Sequence, residues 1–125
     1  MKQLTKAEEQ VMQILWTLKD AVVKQIVEAL SDPRPAYTTI ATVLKVLEKK
    51  GFAQHRTIGN VNQYYPAISR RDYTKFQFSN LLKNYFNGSF PRMATFFAHE
   101  NNLTLGELEE MLRITETELE KEKNN

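Results

Sequence analysis

Apolar residues recur at helical spacing through the first fifty positions and then give way to alternation. Behind Thr5-Lys6-Ala7-Glu8, the stripe Val11, Ile14, Leu15 and Leu18, widened by Met12 and Trp16, predicts a first helix. Thr5 and Glu8 stand at capping-box spacing, where each side chain satisfies the other's backbone amide. Asp20 is placed to cap a second helix carrying Val22, Val23, Ile26, Val27 and Leu30. The prolines of Ser31-Asp32-Pro33-Arg34-Pro35 forbid its continuation. In the third segment Ile40, Val43, Leu44 and Leu47 follow an i, i+3, i+4, i+7 pattern, and Gly51 is a natural stop. From Phe52 to Pro66 the chain alternates about Gly59-Asn60, which predicts a β-hairpin.

Three helices and a hairpin, in that order, are the layout of a winged helix-turn-helix. The expected fold class is therefore mainly α with a small β-hairpin wing, followed by a C-terminal helical region. The expected division is 1–68 and 69–125. Ser69-Arg70-Arg71-Asp72 reads as a helix start, Asn87-Gly88-Ser89-Phe90-Pro91 as a break, and Met93–His99 as a short helix. Thr104 then caps a last helix carrying Leu105, Leu108, Met111, Leu112 and Leu119.

Six of the seven phenylalanines lie in this second half. A few helices of that length cannot enclose so many rings alone. Burial against a second copy predicts a homodimer with Phe76, Phe86, Phe90, Phe96, Phe97, Leu108, Met111 and Leu112 at its interface. The alternative is a second half folded back onto the first.

Composition narrows the function. The chain has no cysteine, so thiolate metal sites, disulfides and thiol nucleophiles are excluded. No apolar run is long enough to cross a bilayer and no signal-peptide core is evident, so membrane insertion is not expected and a cytoplasmic location is. The two histidines stand apart, and His99-Glu100-Asn101-Asn102-Leu103 lacks the second histidine of a zinc-protease helix. The four glycines, at 51, 59, 88 and 106, form no phosphate loop. No catalytic residue, metal or cofactor is expected.

Charge is uneven. Residues 1–66 carry nine basic and six acidic side chains, net +3, and residues 67–103 five and two, also +3. Residues 104–125 carry three and seven, net −4. A basic body suits a polyanionic partner, though modest charge alone does not identify one.

The third helix begins with threonines, which are mediocre helix formers. In a helix-turn-helix this is the segment that enters the major groove, where small polar side chains admit the backbone to the base edges. A threonine methyl packs on the thymine methyl while its hydroxyl bonds a base or phosphate. Thr38, Thr39 and Thr42 thus become candidate contacts with double-stranded DNA. Lys45, Lys49 and Lys50 are candidate phosphate contacts, and Arg56, Asn60 and Asn62 candidate wing contacts. The competing readings are a helix cap at Thr38 or Thr39, solubilising lysines and an ordinary polar turn. A winged helix that docks a protein instead of DNA is the rival function.

Ala7-Glu8-Glu9-Gln10-Val11-Met12-Gln13-Ile14-Leu15-Trp16, the stretch Tyr37–Phe52, and a wing closing in Gln63-Tyr64-Tyr65-Pro66-Ala67-Ile68-Ser69 before Arg70-Arg71-Asp72-Tyr73 together resemble the BlaI/MecI (penicillinase repressor) family. The resemblance implies a dimeric repressor on a palindromic DNA operator, with C-terminal helices that dimerise. By position it assigns Thr38, Thr39, Ala41 and Thr42 to the recognition helix, with Ala41 where some members carry arginine. It also implies a membrane sensor-protease as partner of antibiotic-responsive members, cleaving at an Asn-Phe pair. The corresponding place here is Phe96-Phe97, without the asparagine. Copper-responsive relatives carry a cysteine-rich tail, which this chain lacks.

Overall fold

The computed structural model describes residues 1–124. It places α1 at Lys6–Leu18, α2 at Val23–Ala29 and α3 at Tyr37–Lys49. The hairpin follows as β1, Ala53–Ile58, and β2, Val61–Pro66, and then come α4, Arg70–Tyr85, α5, Phe90–Glu100, and α6, Leu105–Lys123. Two compact units result, Met1–Ser79 and Asn80–Asn125.

The first unit is a winged helix. Its core joins Val11, Met12 and Leu15 of α1, Val23 and Ile26 of α2, and Ile40, Leu44 and Leu47 of α3 to Phe52, Ala53, Tyr64 and Tyr73. The helical periodicity is what delivers these side chains to one point. Burying an aliphatic side chain is worth about 1.5–3 kcal/mol, whereas threonine costs a helix at most about 0.7 kcal/mol against alanine. The Ile40, Leu44 and Leu47 anchors therefore outweigh the unfavourable threonines of α3.

Local signals act as the sequence suggests at several ends. Glu8 N–H donates to Thr5 Oγ1 at 3.2 Å and Thr5 N–H to Glu8 Oε1 at 2.8 Å, closing the capping box. Gly51 adopts φ +86°, the left-handed conformation that glycine tolerates. Its N–H donates to the Glu48 carbonyl at 3.0 Å, and the Phe52 N–H donates to the Leu47 carbonyl at 2.9 Å. This is a Schellman ending, completed by the buried contact partners Leu47 and Phe52.

The start of α2 departs from expectation. Its N-cap is Val22, whose N–H donates to Gln25 Oε1 at 2.9 Å. Asp20 does not cap it, because Ala21 is drawn into an antiparallel bridge with Tyr64. Asp20 accepts instead from Gln63 Nε2 at 2.7 Å.

The hairpin pairs Ala53 with Pro66 through Ile58 with Val61, so Gly59-Asn60 is a two-residue turn. Of these two only Gly59 has positive φ, the pattern of a type II′ turn. Ser69 caps α4 through the Asp72 N–H at 3.0 Å. The first turns of α4 belong to this core: Tyr73 is buried and its hydroxyl accepts from the Leu4 N–H at 2.9 Å. Phe76, expected at a dimer interface, is half-buried against the same core. Trp16 Nε1 donates to the Ile68 carbonyl at 2.8 Å, tying α1 to the segment before α4.

In the second unit, Asn87 and Gly88 take positive φ and turn the chain out of α4. Ser89 caps α5 by accepting from the Arg92 N–H at 3.2 Å, and Thr104 caps α6 by accepting from the Glu107 N–H at 3.2 Å. Helix α5 is longer than the expected Met93–His99, because Pro91 falls in its first turn, where a missing N–H costs nothing. Neither α5 nor α6 contains a buried residue. The rings of Phe86 and Phe96 meet at 5.6 Å, yet Phe96 and Phe97 remain more than half exposed, with Leu112 and Met111 similarly open.

Candidate nucleic-acid interface

On α3 the residues Thr38, Thr42, Lys45 and Lys49 are all exposed and follow i, i+4, i+7, i+11 spacing. At roughly 100° per residue they form one stripe diametrically opposite Ile40, Leu44 and Leu47. The core anchor thus aims the stripe straight at solvent. Ala41, half-buried, flanks it on one side. Thr39 lies on the other side, lining a groove of about 630 Å³ with Pro33, Pro35, Ile40 and Val43 and with Gln10 and Ile14 of α1. The stripe and Thr39 are therefore different surfaces.

Neither Thr38 nor Thr39 caps the helix. The N-cap is Ala36, which supplies no side-chain hydrogen bond. Thr42 Oγ1 donates to the Thr38 carbonyl at 2.9 Å. That bond occupies the hydroxyl hydrogen, fixes the rotamer, and leaves the oxygen lone pairs and the methyl to face outward.

Lys50 differs from the other two lysines. Its Nζ lies 2.7 Å from Glu8 Oε1, with the Glu8 side chain only 7 % exposed and that of Lys50 23 % exposed. Burial pushes the Glu8 carboxyl up, but the Lys50 ammonium together with the Thr5 amide and hydroxyl outweighs it and holds the group below its ordinary value. Lys50 is thus a structural partner of α1 and not part of the exposed stripe.

The wing residues divide between two faces of the ribbon. Arg56 lies on the face away from the core, its guanidinium 5.0 Å from the Tyr65 ring, whose hydroxyl donates to Gln54 Oε1 at 3.0 Å. Asn62 lies on the face of Tyr64 and accepts from Thr57 Oγ1 at 2.8 Å. Asn60 is in the exposed turn. As the alternation requires, Tyr64 is buried while Tyr65 is half-exposed.

Some features of this surface were not read from the sequence. Tyr37, 58 % exposed, opens α3, and Ile58 and Val61 expose an apolar wing tip beside Gly59. His55 Nδ1 lies 2.5 Å from Glu48 Oε1, a contact from β1 to α3. The alternation that identified the hairpin also puts Ile58 and Val61 opposite one another at its tip; the other contacts carry no local signal.

Fold and surface together define a winged helix with a polar, basic helix face, joined to a helical region that exposes apolar side chains. Residues 4–117 match the family described as penicillinase repressor, and the chain belongs to that family. It is 30 % identical to the penicillinase repressor of Bacillus licheniformis over 115 residues, covering 91 % of this chain and 90 % of that one. It is 28 % identical to the methicillin resistance regulatory protein MecI of Mammaliicoccus sciuri, covering 90 % of this chain and 92 % of that one. Among solved structures, the DNA binding domain of the repressor BlaI superposes with a TM-score of 0.50 at 33 % identity, covering 57 % of this chain and 88 % of that domain. No described helix is long and apolar enough to cross a membrane.

Proposed function

We propose that this chain is a DNA-binding transcriptional repressor that acts as a homodimer on a palindromic operator and blocks transcription by occupying it. The exposed stripe Thr38, Thr42, Lys45, Lys49, set opposite the buried anchor of α3, carries the reading. Thr38 and Thr42 meet base edges in the major groove, with Ala41 beside them. Thr42 presents its methyl to a thymine and its lone pairs to a base amino group. Lys45 and Lys49 neutralise phosphates, and Arg56 and Asn60 lie along the backbone at the wing. Membership of a repressor family and likeness to the DNA binding domain of BlaI support it.

Dimerisation rests on the second unit, residues 80–125 in this reading. Phe90, Phe96, Phe97, Leu108, Met111 and Leu112 are all substantially exposed, on helices with no fully buried residue within one chain. A two-fold interface over these side chains removes them from water and presents two recognition helices to two half-sites.

Selection of bound sequences from random duplex DNA tests the whole reading. The expected product is an inverted repeat whose half-sites are about one helical turn, or a multiple of it, apart. Failure to retard any duplex at micromolar protein and low salt overturns it, because nonspecific binding alone is detectable there.

A further inference from the structure

Glu48 sits one turn beyond Lys45 on α3, next to the exposed stripe, and is the only acidic side chain of that helix. A carboxylate at this edge opposes a phosphate backbone. Its partner is His55 of β1, at 2.5 Å, with both side chains about one-third exposed. His55 in turn lies against the buried Tyr64 ring, with centroids 5.3 Å apart. The pair therefore spans the recognition helix and the wing at the edge of the surface they share.

We propose that His55 is a positioning residue for DNA binding: protonated, it clamps the wing to α3 through Glu48 and cancels the acid that α3 would otherwise present to DNA. This rests on the DNA reading above. Binding then takes up a proton, because bringing phosphates near favours the charged imidazole, and loss of that proton leaves an unmasked carboxylate at the interface. The surroundings are compatible with that role. The cations beside Glu48 on its own helix are Lys45 and Lys49, both exposed. From the ribbon comes the Tyr64 phenol, against His55, and from the start of α3 the Tyr37 phenol, which Tyr64 senses. Burial, then the Glu48 carboxylate and Tyr37, push the Tyr64 phenol above its ordinary value, against a hydrogen bond with Asn62. It stays neutral where histidine titrates. Arg56 and Asp20 are engaged on the ribbon's other side, with Tyr65 and Gln63.

The test is fluorescence anisotropy of the full-length chain with a labelled random-sequence duplex at fixed low salt, from pH 8 to pH 6. Wild type should tighten on acidification, by at most about tenfold per pH unit for each His55 engaged, about a hundredfold for a dimer that sets both on the duplex. His55→Gln should lose that slope and bind weakly throughout. Glu48→Gln should bind at pH 8 about as tightly as wild type does at pH 6, because the acid facing the phosphates is gone. The other histidine, His99, is the control: His99→Gln should keep the slope. Binding whose pH dependence is unchanged in His55→Gln overturns this proposal alone. Absence of binding at every pH overturns the DNA reading and this proposal with it.

Discussion

Replacing Glu8 by glutamine isolates one charge in the buried link between α1 and α3. The amide oxygen can still accept from the Thr5 N–H, so the capping box survives and only the ion pair with Lys50 is lost. Breaking a buried pair by removing one partner costs about 3–5 kcal/mol when the remaining charge is stranded. Lys50 is partly open to water and can rehydrate, so the expected loss is smaller, about 1–2 kcal/mol. For a unit of this size, at about 4–8 °C per kcal/mol, that is about 4–16 °C in Tm. The sign with pH follows from the lowered carboxyl: the charged form is favoured by folding, so its contribution is complete above the ordinary carboxylate range. It fades as pH falls through the depressed native value. Thermal unfolding by circular dichroism should therefore show a gap between wild type and Glu8→Gln that is full at pH 7 and closes in strong acid. A double-mutant cycle with Lys50→Met should return a coupling of about 1 kcal/mol at pH 7. A gap independent of pH, or a coupling within about 0.3 kcal/mol of zero, would refute the assignment of Lys50 to structure.

Further outcomes follow from the same geometry. Leu44→Ala, at a fully buried position, should cost about 2–5 kcal/mol in a urea unfolding experiment, and a loss under 1 kcal/mol would contradict the anchor described for α3. Thr42→Ala should weaken a selected operator by about 1–3 kcal/mol, five-fold or more, while sparing random duplex, whereas Lys49→Ala should weaken both alike; anisotropy titrations that show equal losses for Thr42→Ala would exclude base reading. Phe96→Ser combined with Leu112→Glu should yield a monomer in light scattering at micromolar concentration, and a dimer that persists would place the interface elsewhere.

Much of the first unit was legible because its determinants are local. The Thr5–Glu8 box, the stripe of α3, the Gly51 stop and the Gly59-Asn60 turn each depend on residues within a few positions of one another. What was not legible depends on distant partners. Asp20 carries a good capping side chain, but the Ala21–Tyr64 bridge and Gln63 take that segment out of helical use. Lys50 reads as one of three surface lysines until Glu8, 42 positions earlier, is seen beneath it. The contact of His55 with Glu48, seven positions earlier and on another element, likewise has no local signal. Among the candidate contacts, periodicity alone sufficed to line up Thr38, Thr42, Lys45 and Lys49. The same period sets Thr39 off the stripe, on the side of the helix that faces the Pro33–Pro35 groove.

The Schellman ending at Gly51 has a consequence for how such a chain diversifies. Three residues lie between the last turn of α3 and the first pair of β1, and Phe52 among them is fixed in the core. The junction behaves as a rigid bracket, so the offset between helix and wing is a constant of the scaffold. Descendants can acquire a new target by exchanging side chains on the two arms. They cannot do so by sliding one arm along the other, because an inserted residue would dislodge Phe52 before it altered the reach.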